Sequence, residues 1–212
     1  MTSAEAALEA ALSKVAATNI RVVCAGRTDT GVHASGQVVH FDTQASRTPR
    51  QWRLGTNANL PPDIVVQWIK PVPGTFHARF SAQSRRYLYL IANRMERPAL
   101  LARQVSWFRH PLDIEKMRSC VDLFVGEKDF SAFRASQCQA HSPVRRVQHA
   151  RLLSRGEWLA LDICANGFLH HMVRNIVGAL LAVGRGELDR EALAESALRI
   201  RVYAMVNGRG AA

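Results

Sequence analysis

Arg27, Thr28, Asp29 and Thr30 stand between Gly26 and Gly31 in the segment CAGRTDTGVHASGQVVHF, residues 24–41, with His33 just beyond. A carboxylate two residues from a guanidinium, flanked by hydroxyls, can attack an electrophilic carbon, move a proton or hold a charged group. Asp and Gly also serve ordinary turns, and turns are where folds display reactive groups. The plain reading is a hairpin loop in which Asp29 bonds local amides. Asp29-Thr30-Gly31 is formally the tripeptide of aspartic proteases. That chemistry needs two carboxylates sharing one proton. One such tripeptide occurs here, and a nearby arginine favours the ionised carboxylate instead.

Other residues carry chemistry of their own. Tyr87 follows Arg85 and Arg86 on an alternating run. It reads either as a half-buried core tyrosine or as an aromatic plate for a base beside phosphate contacts. Arg174 sits inside an apolar run, where a buried guanidinium requires a carboxylate partner; Asp29 is a candidate. His170 and His171 are adjacent, so on a helix they diverge by about 100° and do not chelate, which takes i, i+3 or i, i+4 spacing. They read as structural. Cys138 and His141 could form half of a metal site, but the spacing supplies no second half, and no metal site is expected. The four cysteines lack C-x-x-C spacing. That favours free thiols and a reduced, cytoplasmic setting.

The elements that must position these groups follow from periodicity. Residues 3–17 read as a helix capped by Ser3, and Ile20–Cys24 and Gln37–Phe41 as strands around the Asp29 loop. Thr48-Pro49 opens a short helix to about Asn57, and Ile64–Trp68 reads as a third strand. Pro71-Val72-Pro73-Gly74 marks a boundary. Two domains are therefore expected, 1–73 with Asp29 and 74–212 with Tyr87 and the basic surface. In the second, Arg86–Ala92 and Trp158–Ala165 read as strands, and Asp113 caps a helix to about Val125. Gly167–Val183 reads as a helix with a stripe of Phe168, Met172, Val173, Ile176, Leu180 and Val183. The fold class is α+β, with largely antiparallel sheets.

The 212 residues are 48% hydrophobic, enough for a substantial core. Apolar runs are too short for a membrane span, and the acidic, alanine-rich start lacks the pattern of a secretory signal. The net charge is +11, divided as +2 over residues 1–77 and +9 over 78–212; 24 of the 28 basic residues are arginine. Arginine forks fit phosphates and stack on bases, so a polyanionic partner is expected.

Six motifs in order resemble the TruA family of tRNA pseudouridine synthases: AGRTDTGVHA (25–34), GQVVHFDT (36–43), NANLP (57–61), FHARFSAQSRRYLYLI (76–91), DFSAFRASQCQ (129–139) and NGFLHHMVRNIVGALLAVGRG (166–186). The resemblance implies isomerisation of uridine to pseudouridine at positions 38, 39 and 40 of the tRNA anticodon stem-loop, without a cofactor. It implies a homodimer of subunits with two ferredoxin-like, RRM-like halves whose antiparallel sheets flank a basic active-site cleft. Asp29 matches the catalytic aspartate, Arg27 the arginine that helps displace the target base, Tyr87 the tyrosine that stacks on uracil, and Arg174 the arginine paired with the aspartate. Arg86 and His171 are expected to contact substrate.

The chemistry agrees with those residues. The N1–C1′ bond must break, the uracil must turn, and C5 must join C1′. A carboxylate can attack C1′ or C6, or assist loss of the 2′ proton, once the base has left the stack. The chain departs from the family pattern at both ends. It begins at the helix rather than at the family's first strand, and RIRVYAMVNGRGAA after about Leu198 does not follow the expected tail. A non-catalytic tRNA-binding remnant is therefore the alternative.

Overall fold

The computed structural model describes residues 3–199; the tail expected to break the family pattern lies almost wholly outside them. Contacts group the chain into two compact units. One holds the residues up to Thr28 together with Ala34–Ala82, and the other holds Asp29–His33 with the residues from Gln83 onward. The dividing line thus falls at Ala82 rather than at residue 73, and Asp29 is grouped with the second unit.

In the first unit, helix α1 (Ala4–Ala16) begins where Ser3 Oγ accepts the Ala6 N–H at 3.2 Å. Helix α2 (Pro49–Asn57) begins with a full capping box between Thr48 and Gln51, which satisfies two otherwise orphaned donors. Leu12, Ala16, Ile20, Val22 and Trp52 form the core between them. Strands β1 (Val23–Cys24) and β2 (Val39–His40) pair antiparallel.

Both strands are shorter than their apolar runs predict. For β1 the reason is visible at the donors: Ile20 N–H bonds Ser13 Oγ at 2.8 Å and Val22 N–H bonds Glu9 Oε1 at 3.0 Å. Side chains of α1 take the place of a ladder. The expected strand Ile64–Trp68 is likewise not one. Its Val66 is held by the Asn57 side-chain amide, which accepts the Val66 N–H at 2.8 Å and donates to its C=O at 2.9 Å. One amide mimics a strand neighbour there, and Val65 and Trp68 stay exposed.

The second unit is built on strands β3 (Arg85–Asn93), β4 (Ser106–Phe108), β5 (Gly126–Asp129), β6 (Val144–Arg155) and β7 (Trp158–Ala165). Their order is β4-β3-β7-β6-β5, antiparallel except for the β3–β4 pair. The fold is α+β with mainly antiparallel pairing, as the sequence predicts. Helix α3 (Ile114–Cys120) is capped by Asp113 and tightens into a 3₁₀ turn, Val121–Phe124. Helices α4 (Met172–Gly184) and α5 (Arg190–Arg199) follow β7.

Leu159, Leu161, Ile163 and Ala165 alternate along β7 into one core with Ile91, Met117, Phe124, Phe133, Ile176, Leu180 and Leu193. The period of two on the strand and the stripe on α4 are what let these residues meet. Close approach of α4 to α3 needs a glycine. A Cβ on Gly184 would lie 2.7 Å from Met117 Sδ and 2.9 Å from Leu112 Cδ2.

Candidate active site

A tight turn displays Asp29. The Val32 N–H donates to the Asp29 C=O at 3.0 Å, and Gly31, at the third position of that turn, has φ +80°. Only glycine takes that backbone freely. The turn leaves the Asp29 carboxylate 40% exposed, facing residues at the start of α4.

Three side chains reach it. Arg174 Nη2 lies 3.5 Å from Oδ2, His171 Nε2 lies 3.4 Å from the same oxygen, and His170 Nε2 lies 3.9 Å from Oδ1. The helix begins later than the apolar stripe suggests, at Met172, because His171 takes the left-handed conformation at φ 59°. That corrects the expectation for the histidines. Both lie before the helix, so the 100° divergence does not apply. Their rings lie against each other, centroids 3.8 Å apart and planes tilted by 32°, and both nitrogens turn toward one carboxylate. His170 is the site residue that sequence reasoning missed; its doublet with His171 at the foot of the apolar helix was the available signal.

A distant motif holds this turn. Ala135 N–H donates to the His170 C=O at 3.1 Å, and the His170 N–H donates to Cys138 Sγ at 3.4 Å. Arg134 donates in turn to the Cys138 C=O. Asn175 Nδ2 bonds the Phe133 C=O at 2.9 Å. The DFSAFRASQCQ stretch thus serves as scaffold for the histidine turn. Cys138 belongs to that scaffold, and all four cysteines are free thiols.

Electrostatics separate the groups. Burial pushes the His171 imidazole below its ordinary value, His170 and Arg174 push the same way, and only Asp29 opposes them. This setting favours the uncharged imidazole. Tyr87, on β3, is half-buried and meets Phe168 edge to face at 5.0 Å. Burial, and then the charge of Asp29, raises the Tyr87 phenol above its usual value. Its ring stays neutral and is held by Phe168 in a fixed plane.

Arg86 does not join Tyr87. Neighbouring residues on a strand point to opposite faces, and Arg86 makes a two-pronged bond to Asp162 on β7, both distances 2.7 Å. Asp162 is itself buried and also meets His149 Nε2 at 3.3 Å. Arg86 thus forms an ion pair on the face of the sheet opposite Tyr87, with its side chain 66% exposed. Arg27 belongs to the first unit, on the segment leading into the Asp29 turn.

An α+β fold that raises a carboxylate on a glycine turn, among an arginine and two imidazoles, defines a protein with a carboxylate-centred site on a strongly basic chain. The family model described as tRNA pseudouridine synthase matches residues 2–81 and 120–205, and the chain belongs to that family. It is 58% identical over 185 residues to a tRNA pseudouridine synthase A of Pseudomonas aeruginosa, covering 87% of this chain and 65% of that one. Against the protein of the same name from Pectobacterium atrosepticum it is 54% identical over 193 residues, covering 91% and 68%. Against that of Klebsiella pneumoniae subsp. pneumoniae it is 53% identical over 193 residues, covering 91% and 72%. The chain thus spans about two thirds of the length of these curated relatives.

Proposed function

We propose that this protein isomerises uridine to pseudouridine in tRNA, at positions 38, 39 and 40 of the anticodon stem-loop, acting in the cytoplasm as a homodimer. The observation that carries the proposal is the convergence of Arg174 and His171 on one oxygen of Asp29. Such a convergence fixes the direction of a carboxylate that must meet a sugar or base carbon, and orientation of this kind lowers a barrier substantially.

The reaction moves no electrons between partners. The N1–C1′ bond breaks, the uracil turns, C5 bonds C1′, the C5 proton leaves and N1 gains one. The reacting protein atom is an Asp29 carboxylate oxygen, acting as nucleophile. Tyr87 stacks on the flipped uracil, which suits a neutral ring backed edge-on by Phe168. Arg27, two residues before Asp29 in the chain, fills the space that the base leaves. The arginine-rich charge, +11 in all, holds the stem through its phosphates. The names of the relatives support tRNA as substrate.

The test is incubation with tRNA transcripts carrying uridine at positions 38, 39 and 40, followed by mapping of pseudouridine. Conversion at those positions supports the proposal. Tight tRNA binding with no conversion at any position overturns it in favour of a binding module.

A further inference from the structure

The same three side chains are also placed for a second chemistry. The His170 and His171 ring nitrogens and an Asp29 carboxylate oxygen all lie within 4.8 Å of one another. Neither imidazole closes on the carboxylate as a good hydrogen bond does, at 3.9 and 3.4 Å. Three donor atoms thus surround a common point without saturating one another. A transition ion held at about 2.0–2.2 Å by two imidazoles and a carboxylate puts tetrahedral donor atoms roughly 3.3–3.6 Å apart. Small side-chain rotations bring the observed spacing to that value.

Backbone geometry keeps the donors together. The left-handed His171 and the bond from Ala135 N–H to the His170 C=O fix the turn. The tilted pair of rings is partly exposed, so an ion can enter and keep a water on its open side.

We propose that Asp29, His170 and His171 form a binding site for a first-row transition-metal ion, with Zn²⁺ the natural occupant of two nitrogens and one oxygen. Mg²⁺ and Ca²⁺ prefer sets made wholly of oxygen and do not suit it. Arg174 works against the ion, because both compete for Asp29 Oδ2. The ion is therefore an inhibitor rather than a helper, a consequence that rests on the proposed role of Asp29. A metal-bound carboxylate has its negative charge drawn to the ion and is a poor nucleophile, and the ion and the uridine exclude each other.

Co²⁺ is the probe, titrated into the untagged full chain after chelator treatment and followed by its visible absorption. The expected result is one equivalent bound, displaced by Zn²⁺. Asp29→Ala, His170→Ala and His171→Ala each weaken binding by more than the ~10- to 100-fold that loss of a supporting partner costs. Asp29→Asn, nearly isosteric, does the same, and thermal melting confirms that each variant is folded. Arg174→Ala tightens binding, and His141→Ala leaves it unchanged. Absence of a Co²⁺ band at millimolar metal overturns the proposal, as does a band that survives loss of both histidines. Added Zn²⁺ should abolish pseudouridine formation, and chelator should restore it. Zn²⁺ that fills the site while turnover stays at full rate leaves the metal site standing and overturns the role given to Asp29.

Discussion

Arg174 and Asp29, far apart in sequence, bring Nη2 and Oδ2 to 3.5 Å. The arginine rides on the first turn of α4, where the helix dipole also favours negative charge. A turn fixed by Gly31 presents the aspartate. Neither element alone makes a site, because the turn supplies a carboxylate without direction and the helix supplies direction without a reactive group.

The Arg174 fork is not replaceable by a point charge. Arg174→Lys keeps the cation but loses the planar donors. Its turnover should fall about 100-fold or more with the affinity for tRNA nearly unchanged, given that one electrostatic donor in a reactive site is worth roughly 3 kcal/mol. Single-turnover rates and filter binding on the same variant separate the two effects. Wild-type turnover in Arg174→Lys would show that charge alone suffices.

The Gly31 turn should be similarly sensitive, for backbone reasons only. No atom lies within 4 Å of a Cβ placed there, so Gly31→Ala meets no steric clash. What it meets is φ +80°, which costs an L-residue roughly 1–2 kcal/mol. The turn relaxes and Asp29 moves away from Arg174. We expect turnover to fall at least tenfold while the melting temperature shifts by only a few degrees. A fall in both together would mean that the turn supports the fold rather than the site.

Much of this arrangement could be read from residue order, and the gaps have identifiable causes. Ser3, Thr48 and Asp113 mark helix starts because a cap is a local property of the chain. Trp158–Ala165 is legible because both neighbours in its sheet are long strands and its apolar period is uninterrupted. Strand β6 is not legible because arginines at 145, 146, 151 and 155 mask its alternation, although it is the longest strand described. Ile64–Trp68 looks like a strand because extended backbone and ladder membership leave the same apolar trace. Asp29, Tyr87 and Arg174 stand out by type and setting. His170 does not, because a single left-handed residue at His171 decides where two rings point, and no periodicity reports a single dihedral angle. The partner of Arg86 is hidden for a related reason. It adjoins Tyr87 in sequence, and the pleat puts it on the other face with Asp162.

That pair predicts acid sensitivity. Arg86, with help from His149 and against the effect of burial, holds the Asp162 carboxyl below its ordinary value. A carboxylate depressed on folding stabilises fully above its unfolded value, near pH 4, and loses that contribution as pH falls through the lower folded value. Asp162→Asn should therefore be less stable than wild type at pH 7 by about 1–3 kcal/mol, with the gap narrowing below about pH 4. Urea melts of both proteins at pH 7 and pH 3 measure it. A gap that is the same at both values would remove the ion pair from the account.

Binding to tRNA should weaken steeply with salt. Each phosphate neutralised contributes about −0.7 to −0.9 to the slope of log K against log salt, and the chain carries +9 over residues 78–212 alone. A slope of −4 or steeper is expected from titrations between roughly 50 and 200 mM salt. A flat dependence would contradict recognition through phosphates.

The most direct test of the central claim follows the C5 hydrogen, which must leave uracil when C5 bonds C1′. Transcripts carrying uridine tritiated at C5 are mixed with excess protein, and release of tritium to water is timed for wild type and for Asp29→Asn. The account predicts release from wild type at positions 38, 39 and 40. In Asp29→Asn it predicts a rate below about a thousandth of that, with tRNA affinity within a few-fold because binding is spread over many arginines. Release by Asp29→Asn at a rate comparable to wild type would contradict it, since the carboxylate around which Arg174, His170 and His171 gather would then not be the reacting group.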